Sequence, residues 1–178
     1  MDLQEHFRAM ARNNAWSNAR LHGACARLSE EAFAAERTSF FPSLQLTLNH
    51  ILVVDRAYLA DLKGTGRSRS NIEAPFPRAS DLALAQRQAD LELVSLCDGL
   101  DADALDRVVV IDRDDGVEYR ETAAAILSHL FIHQLHHRGQ AHAMLAGTGI
   151  APPQLDEFFL DSDEPRRRDE LHRLELSA

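Results

Sequence analysis

The stretch Ser128–Met144, SHLFIHQLHHRGQAHAM, holds five of the chain's nine histidines. Set on a helix at 100° per residue, His129, His136 and His137 all fall within about 60° of His133. Ile126, Leu130, Gln140 and Met144 share that arc, while His142 points to the opposite side. Four imidazoles thus crowd the stripe expected to face a core. One histidine on an apolar face is ordinarily a core residue whose ring is satisfied by hydrogen bonds. Four on one stripe are another matter, because neutral rings need many partners and protonated rings repel. A metal ion resolves both problems. Histidines at i and i+4 stand one turn apart with rings converging, the spacing used to chelate a metal from one helix. The stretch reads as a core-facing helix that carries a metal site.

A second helix is expected over residues 42–63, with Pro42 suited to its first position. Leu46, Val53, Val54 and Ala57 lie within about 60° of His50 on this helix. His50 is therefore a lone polar group on an inward face, and the natural third ligand beside the histidine stripe. Leu48, Leu52 and Leu59 form a second apolar stripe, leaving Gln45, Asn49, Arg56 and Lys63 as a narrow wet strip. The first helix, residues 2–28, puts Leu3, Phe7, Met10, Leu21, Cys25 and Leu28 on one face. Asn14 and Asn18 interrupt that face, and Trp16 points away from it. Apolar groups on two faces imply burial on both. The expectation is a homodimer formed through Trp16 and the Leu52/Leu59 side.

Residues 29–41 read as an irregular connection. Residues 64–80 carry glycine, proline and serine without periodicity, a loop long enough for an overhand crossover rather than a tight hairpin. Ser80 is a candidate N-cap for a third helix over 81–97, whose single stripe of Leu82, Ala85, Ala89, Leu93 and Leu96 looks structural. Val108–Ile111 and Val117–Arg120 flank Asp115-Gly116 and predict a β-hairpin. The acidic turn lacks calcium-loop spacing and a closing glutamate. Thr122 is placed to cap the last long helix, which ends before Gly147. Short helical pieces are expected over 155–160 and 165–176. The fold class is all-α, a four-helix bundle with one small hairpin before the last long helix. It forms a single domain over 1–178, with a core at 2–147 and a C-terminal extension at 148–178.

Composition narrows the function. At 178 residues with 45% hydrophobic content the chain is one globular domain, and no apolar run reaches the length of a membrane span. The N-terminal MDLQEHFRAMARNN has no apolar signal core, which points to the cytoplasm. A formal charge of −9 argues against a nucleic-acid partner, since phosphate contacts need a basic face. Cys25 and Cys97 sit in apolar helical patterns and read as buried thiols.

At His50, within NHILVVDRAYL, and at His133–Gln140, HQLHHRGQ, the sequence resembles the DinB family of metal-binding four-helix proteins. Asn14–Asn18, NAWSN, resembles that family's N-x-W-x-N segment. The likeness spans roughly residues 5–147. It implies up-down-down-up helix order and a divalent ion held by His50, His133 and His137, with His129 and His136 outside the ligand set. Zinc or nickel is expected first, with cobalt, iron or manganese compatible. Three nitrogen ligands and an open position describe a catalytic rather than a closed structural site.

Three functions follow from the resemblance and the residues. One is metal-dependent hydrolysis, although HxxxH here carries Gln134, Leu135 and His136 where a zincin's glutamate base would stand, which argues against a protease. Another is an S-transferase or isomerase that uses a small thiol from solution. The last is a non-catalytic metal-stabilised dimer. Catalytic residues are not assigned. Arg138 points away from the ligands and reads as an interhelix ion-pair residue. Gly139 reads as a close helix approach, and Gln140 as a core hydrogen-bonding residue facing Asn14 or Asn18.

Overall fold

In a computed structural model describing residues 1–66, 75–112 and 117–176, the chain is a bundle of four long helices. They are α1 (Leu3–Cys25), α3 (Leu44–Lys63), α4 (Ala79–Asp98) and α6 (Ala123–Ala146). Two five-residue helices, α2 (Glu30–Ala34) and α5 (Ala102–Asp106), fall where no periodicity was seen. A hairpin of β1 (Val108–Asp112) and β2 (Glu118–Thr122) precedes α6, and α7 (Glu164–Arg173) follows it.

Cap chemistry sets the ends. Asp2 and Glu5 form a reciprocal capping box that starts α1, with bonds of 2.8 and 2.9 Å. Ser43, not Pro42, begins α3: its Oγ accepts from the Leu46 amide at 3.1 Å. The helix ends at Gly64, whose φ of 68° suits a residue without Cβ. Thr122 caps α6 as expected, accepting from the Ala125 amide at 3.2 Å. Ser80 is not a cap. It lies inside α4, which starts after Arg78 without any side-chain cap bond. Residues 155–160 are not helical; a 3-10 turn at Asp161–Asp163 leads into α7 instead.

Cross-helix contacts fix the directions. Arg12 pairs with Asp98 (2.7 Å) and Asn18 with Asp90 (2.9 Å), so α1 and α4 run antiparallel. His50 meets His133 while Tyr58 meets His129, so α3 and α6 are antiparallel. Asp55 meets Gln86 and Lys63 meets Glu92, so α3 and α4 are parallel. Phe7 meets Phe131 and Asn18 meets Arg138, so α1 and α6 are parallel. That is up-down-down-up order, reached across the long α3–α4 connection. Asn49 belongs to the packing and not to a wet strip. It is fully buried, donating to the Phe76 carbonyl (2.9 Å) and accepting from the Phe76 amide (3.0 Å), which ties down the end of that connection.

β1 and β2 pair antiparallel with Val108 opposite Thr122 and Asp112 opposite Glu118. Val109 and Ile111 are buried while Val108 and Val110 are exposed, the period-two alternation of a sheet covering one end of the bundle. The Asp115-Gly116 turn lies outside the described residues.

Trp16 is 0% exposed, Leu52 0% and Leu59 2%, so the faces expected to meet a second copy lie inside one chain. Trp16 is covered by the C-terminal segment. Phe158 packs against its ring at 5.7 Å, and its Nε1 donates to Glu170 Oε2 at 2.7 Å. Arg20 stacks over the indole at 4.1 Å and also reaches Glu170, at 2.7 Å. After α7 the Leu176 amide bonds the Leu171 carbonyl and the Glu175 amide bonds the His172 carbonyl, a Schellman motif. Glu175 takes the left-handed position usually held by glycine, at φ 60°, which delivers Leu176 into the core at 2% exposure.

Candidate metal centre

Because α3 and α6 are antiparallel neighbours, His50 lies opposite the turn that carries His133 and His137. One ring nitrogen from each lies within 4.8 Å of the other two, a grouping that could hold a metal ion. His50 Nε2 and His133 Nε2 are 3.0 Å apart. The His137 ring stands 4.6 Å from His50 and 4.5 Å from His133, near edge-on to both.

All three rings are neutral at pH 7. Burial lowers the His50 pKa to about 4, with the His137 ring adding to the effect. Burial lowers His133 to about 3, aided by His137, His50, His129 and His136. His137 is lowered too, by burial, against an opposing contribution from its bond to Gln140. Neutral imidazoles offer lone pairs, the form a metal requires. Gln140 sets one of them. Its Oε1 accepts from His137 Nδ1 at 2.8 Å, leaving His137 Nε2 as the free acceptor, and its Nε2 donates to His136 Nε2 at 3.0 Å. Gln140 therefore serves the cluster and does not reach Asn14 or Asn18. His133 Nδ1 is buried without a hydrogen-bond partner among the described residues.

His129 and His136 are exposed and outside the grouping, so the stripe holds fewer buried rings than the helical wheel implied. His129 sits 6.5 Å from the His133 ring and 5.5 Å from Tyr58. His142, on the far side, hydrogen-bonds the Pro153 carbonyl through Nε2 at 2.9 Å. Phe41 and Phe40, within what read as an irregular connection, form an aromatic wall. Phe41 lies 4.4 Å from the His50 ring and 5.6 Å from His137, and Phe40 packs edge-on against Phe41 while 74% exposed. Two adjacent phenylalanines just before a helix were the only sequence signal for them.

Behind the cluster lies a buried polar network. Arg138 Nη1 donates to Asn14 Oδ1 (2.7 Å) and Asn18 Oδ1 (2.9 Å). Both asparagines pass a bond to Asp90 Oδ1, and Gln86 bridges Asp90 to Asp55. Gln134 donates to Asp55 Oδ2. Burial, then repulsion from Asp90, raises the Asp55 pKa to about 7; burial raises Asp90 to about 6. Arg138 is 3% exposed and its charge is answered within this network. The asparagines that interrupt the face of α1 thus answer Arg138. A Cβ on Gly139 would meet nothing within 4 Å among the described residues, so close helix approach does not explain that glycine.

The chain belongs to the DinB family: the family model matches residues 3–168. Two solved structures of DinB-like proteins share the fold. One, from Bacillus cereus, is 19% identical with a TM-score of 0.60, covering 78% of this chain and 90% of that one. The other, from Bacillus subtilis, is 17% identical with a TM-score of 0.61, covering 82% and 96%. Identities this low carry the fold alone. No curated protein matches the chain.

Proposed function

We propose that His50, His133 and His137 hold a divalent metal ion, zinc or nickel first, and that the chain is a metal-dependent enzyme acting on a small molecule. The observation that carries this is the convergence of three neutral rings from two helices, with Gln140 fixing the tautomer of one. The donor set fits the ion: imidazole nitrogens suit zinc, nickel, cobalt and iron, and three protein ligands leave a position open. Bound there, the ion supplies Lewis acidity and lowers the proton affinity of a water or thiol that reaches it. The chain's own residues do the rest. Phe41 shields one side of the cluster from water, and the exposed Phe40 offers a substrate an apolar edge. His136 and His129 are the nearest groups able to take or give a proton.

Hydrolysis is the first reading of the chemistry. One observation favours a thiol from solution as the alternative nucleophile: no carboxylate joins the histidine grouping among the described residues, so activation of water would fall to His136 or His129 alone. The chain's own thiols do not serve. Cys25 and Cys97 are buried, and burial pushes each up to about 12. Cobalt substitution of untagged protein separates the readings. A thiol-induced change in the cobalt spectrum supports thiol chemistry, while indifference to thiol together with ester or amide turnover supports hydrolysis. That the chain forms a homodimer also stands as a proposal, although the Trp16 and Leu52/Leu59 faces expected to form it are buried within one chain; sedimentation of the metal-loaded chain tests it.

A further inference from the structure

A cavity of about 240 Å³ lies between α1, α4 and the end of α7, away from the histidine cluster on α3 and α6. Leu84, Leu91, Leu174 and Leu176 give it an apolar lining. Asn18, His22, Ser80, Arg87 and Asp90 interrupt that lining, and two of them carry the argument. His22 is 3% exposed and its Nδ1 has no hydrogen-bond partner among the described residues. Burial, with Arg138 adding to it, lowers its pKa to about 4, so the ring is neutral. Asp90 is the other. Its three hydrogen bonds, from Asn14, Asn18 and Gln86, all fall on Oδ1, and none reaches Oδ2 among the described residues.

Buried polar groups are normally paired, and a ring left without a partner needs an explanation. The space opens to solvent past Leu84, which is 66% exposed, and it is larger than the enclosed apolar cavity of roughly 150 Å³ that accommodates benzene. A larger cavity with an acceptor oxygen at its edge fits a fused bicyclic or alkyl-substituted ring. We propose that this cavity is a second ligand site, for a small neutral aromatic or branched aliphatic molecule carrying one N–H or O–H donor. The donor meets Asp90 or His22 and the apolar body meets the leucines. The C-terminal turn closes one side, because Leu174 and Leu176 are delivered there by the Schellman motif. Arg87, on the cavity lining, pairs with Glu175 of that turn at 3.3 Å.

The test uses indole as probe and indene as its donor-less isostere, titrated calorimetrically into the full chain, with amide NMR shifts as a second readout. Indole is expected to bind, indene to bind about tenfold more weakly, and shifts to centre on His22, Asp90 and Leu176. Ala83→Phe fills the space from α4 and Ala19→Leu from α1, so at least one should fold and abolish binding, at unchanged metal content. His22→Phe should narrow the gap between indole and indene. Absence of indole binding, binding that survives both filling variants, or binding lost in His133→Ala would overturn the proposal; the last would place the probe at the histidine cluster.

Discussion

Gln140 shows how much one side chain decides. It holds His137 by Nδ1 and His136 by Nε2 at once, so it orients one ring of the proposed metal site from outside the histidine grouping. Gln140→Leu should leave the fold intact and weaken metal affinity by roughly 10- to 100-fold, measured by competition with a chromophoric chelator. Asp55 is the second such residue. Its folded pKa of about 7 lies above the unfolded carboxylate value, so its contribution to stability falls as pH rises towards 7. His22, His50 and His133 act in the opposite sense. Their folded values of about 4, 4 and 3 lie below the unfolded histidine value, so stability is lost as pH falls from roughly 6.5. The two trends oppose each other in the metal-free chain. Asp55→Asn weakens the first, leaving only Asp90 with its folded value of about 6 to carry it, and denaturant titrations from pH 7 to pH 5 should then show a steeper loss of stability than wild type. An unchanged or shallower slope would contradict the assignment. Arg138→Met should be costly, about 3–5 kcal/mol, because it strands Asp90 in the interior.

Among the elements, the four long helices and the hairpin were legible because each carries a period of 3.6 or 2 over enough residues to register. The wheel of α6 also placed His133 and His137 together and His142 apart, as found. Helices α2 and α5 were not legible, since five residues hold less than two turns of pattern. Pro42 and Ser80 misled in the same way: a residue suited to a helix start was present, but its neighbour supplied the cap or none was needed. Trp16 is the more instructive case. Its direction off the main face of α1 is visible in the helical spacing, and a large ring on that side needs a cover. The covering surface is Phe158 and Glu170, in a segment so charged that no apolar stripe announced it. Trp16→Ala should therefore lower stability by about 3–5 kcal/mol and loosen residues 154–176, seen as faster proteolysis at the C-terminus. A change in sedimentation with no loss of stability would instead mark Trp16 as an interface residue.

At the scale of the whole molecule, the bundle order turns two separated sequence signals into one site. His50 is a single histidine in an apolar helix, and only the antiparallel pairing of α3 with α6 sets it opposite His133 and His137. The motif residues were readable in the chain, whereas the aromatic wall and the polar network behind α6 depend on contacts between distant segments and left no pattern along any one of them. The central claim is that these three histidines bind one ion together. Its most direct test is elemental analysis of untagged protein, wild type beside single alanine variants. The expected result is about one divalent ion per folded chain, lost in His50→Ala, His133→Ala and His137→Ala and retained in His129→Ala and His142→Ala. Full metal content in His50→Ala together with loss in His129→Ala would contradict it, and would assign the site to α6 alone.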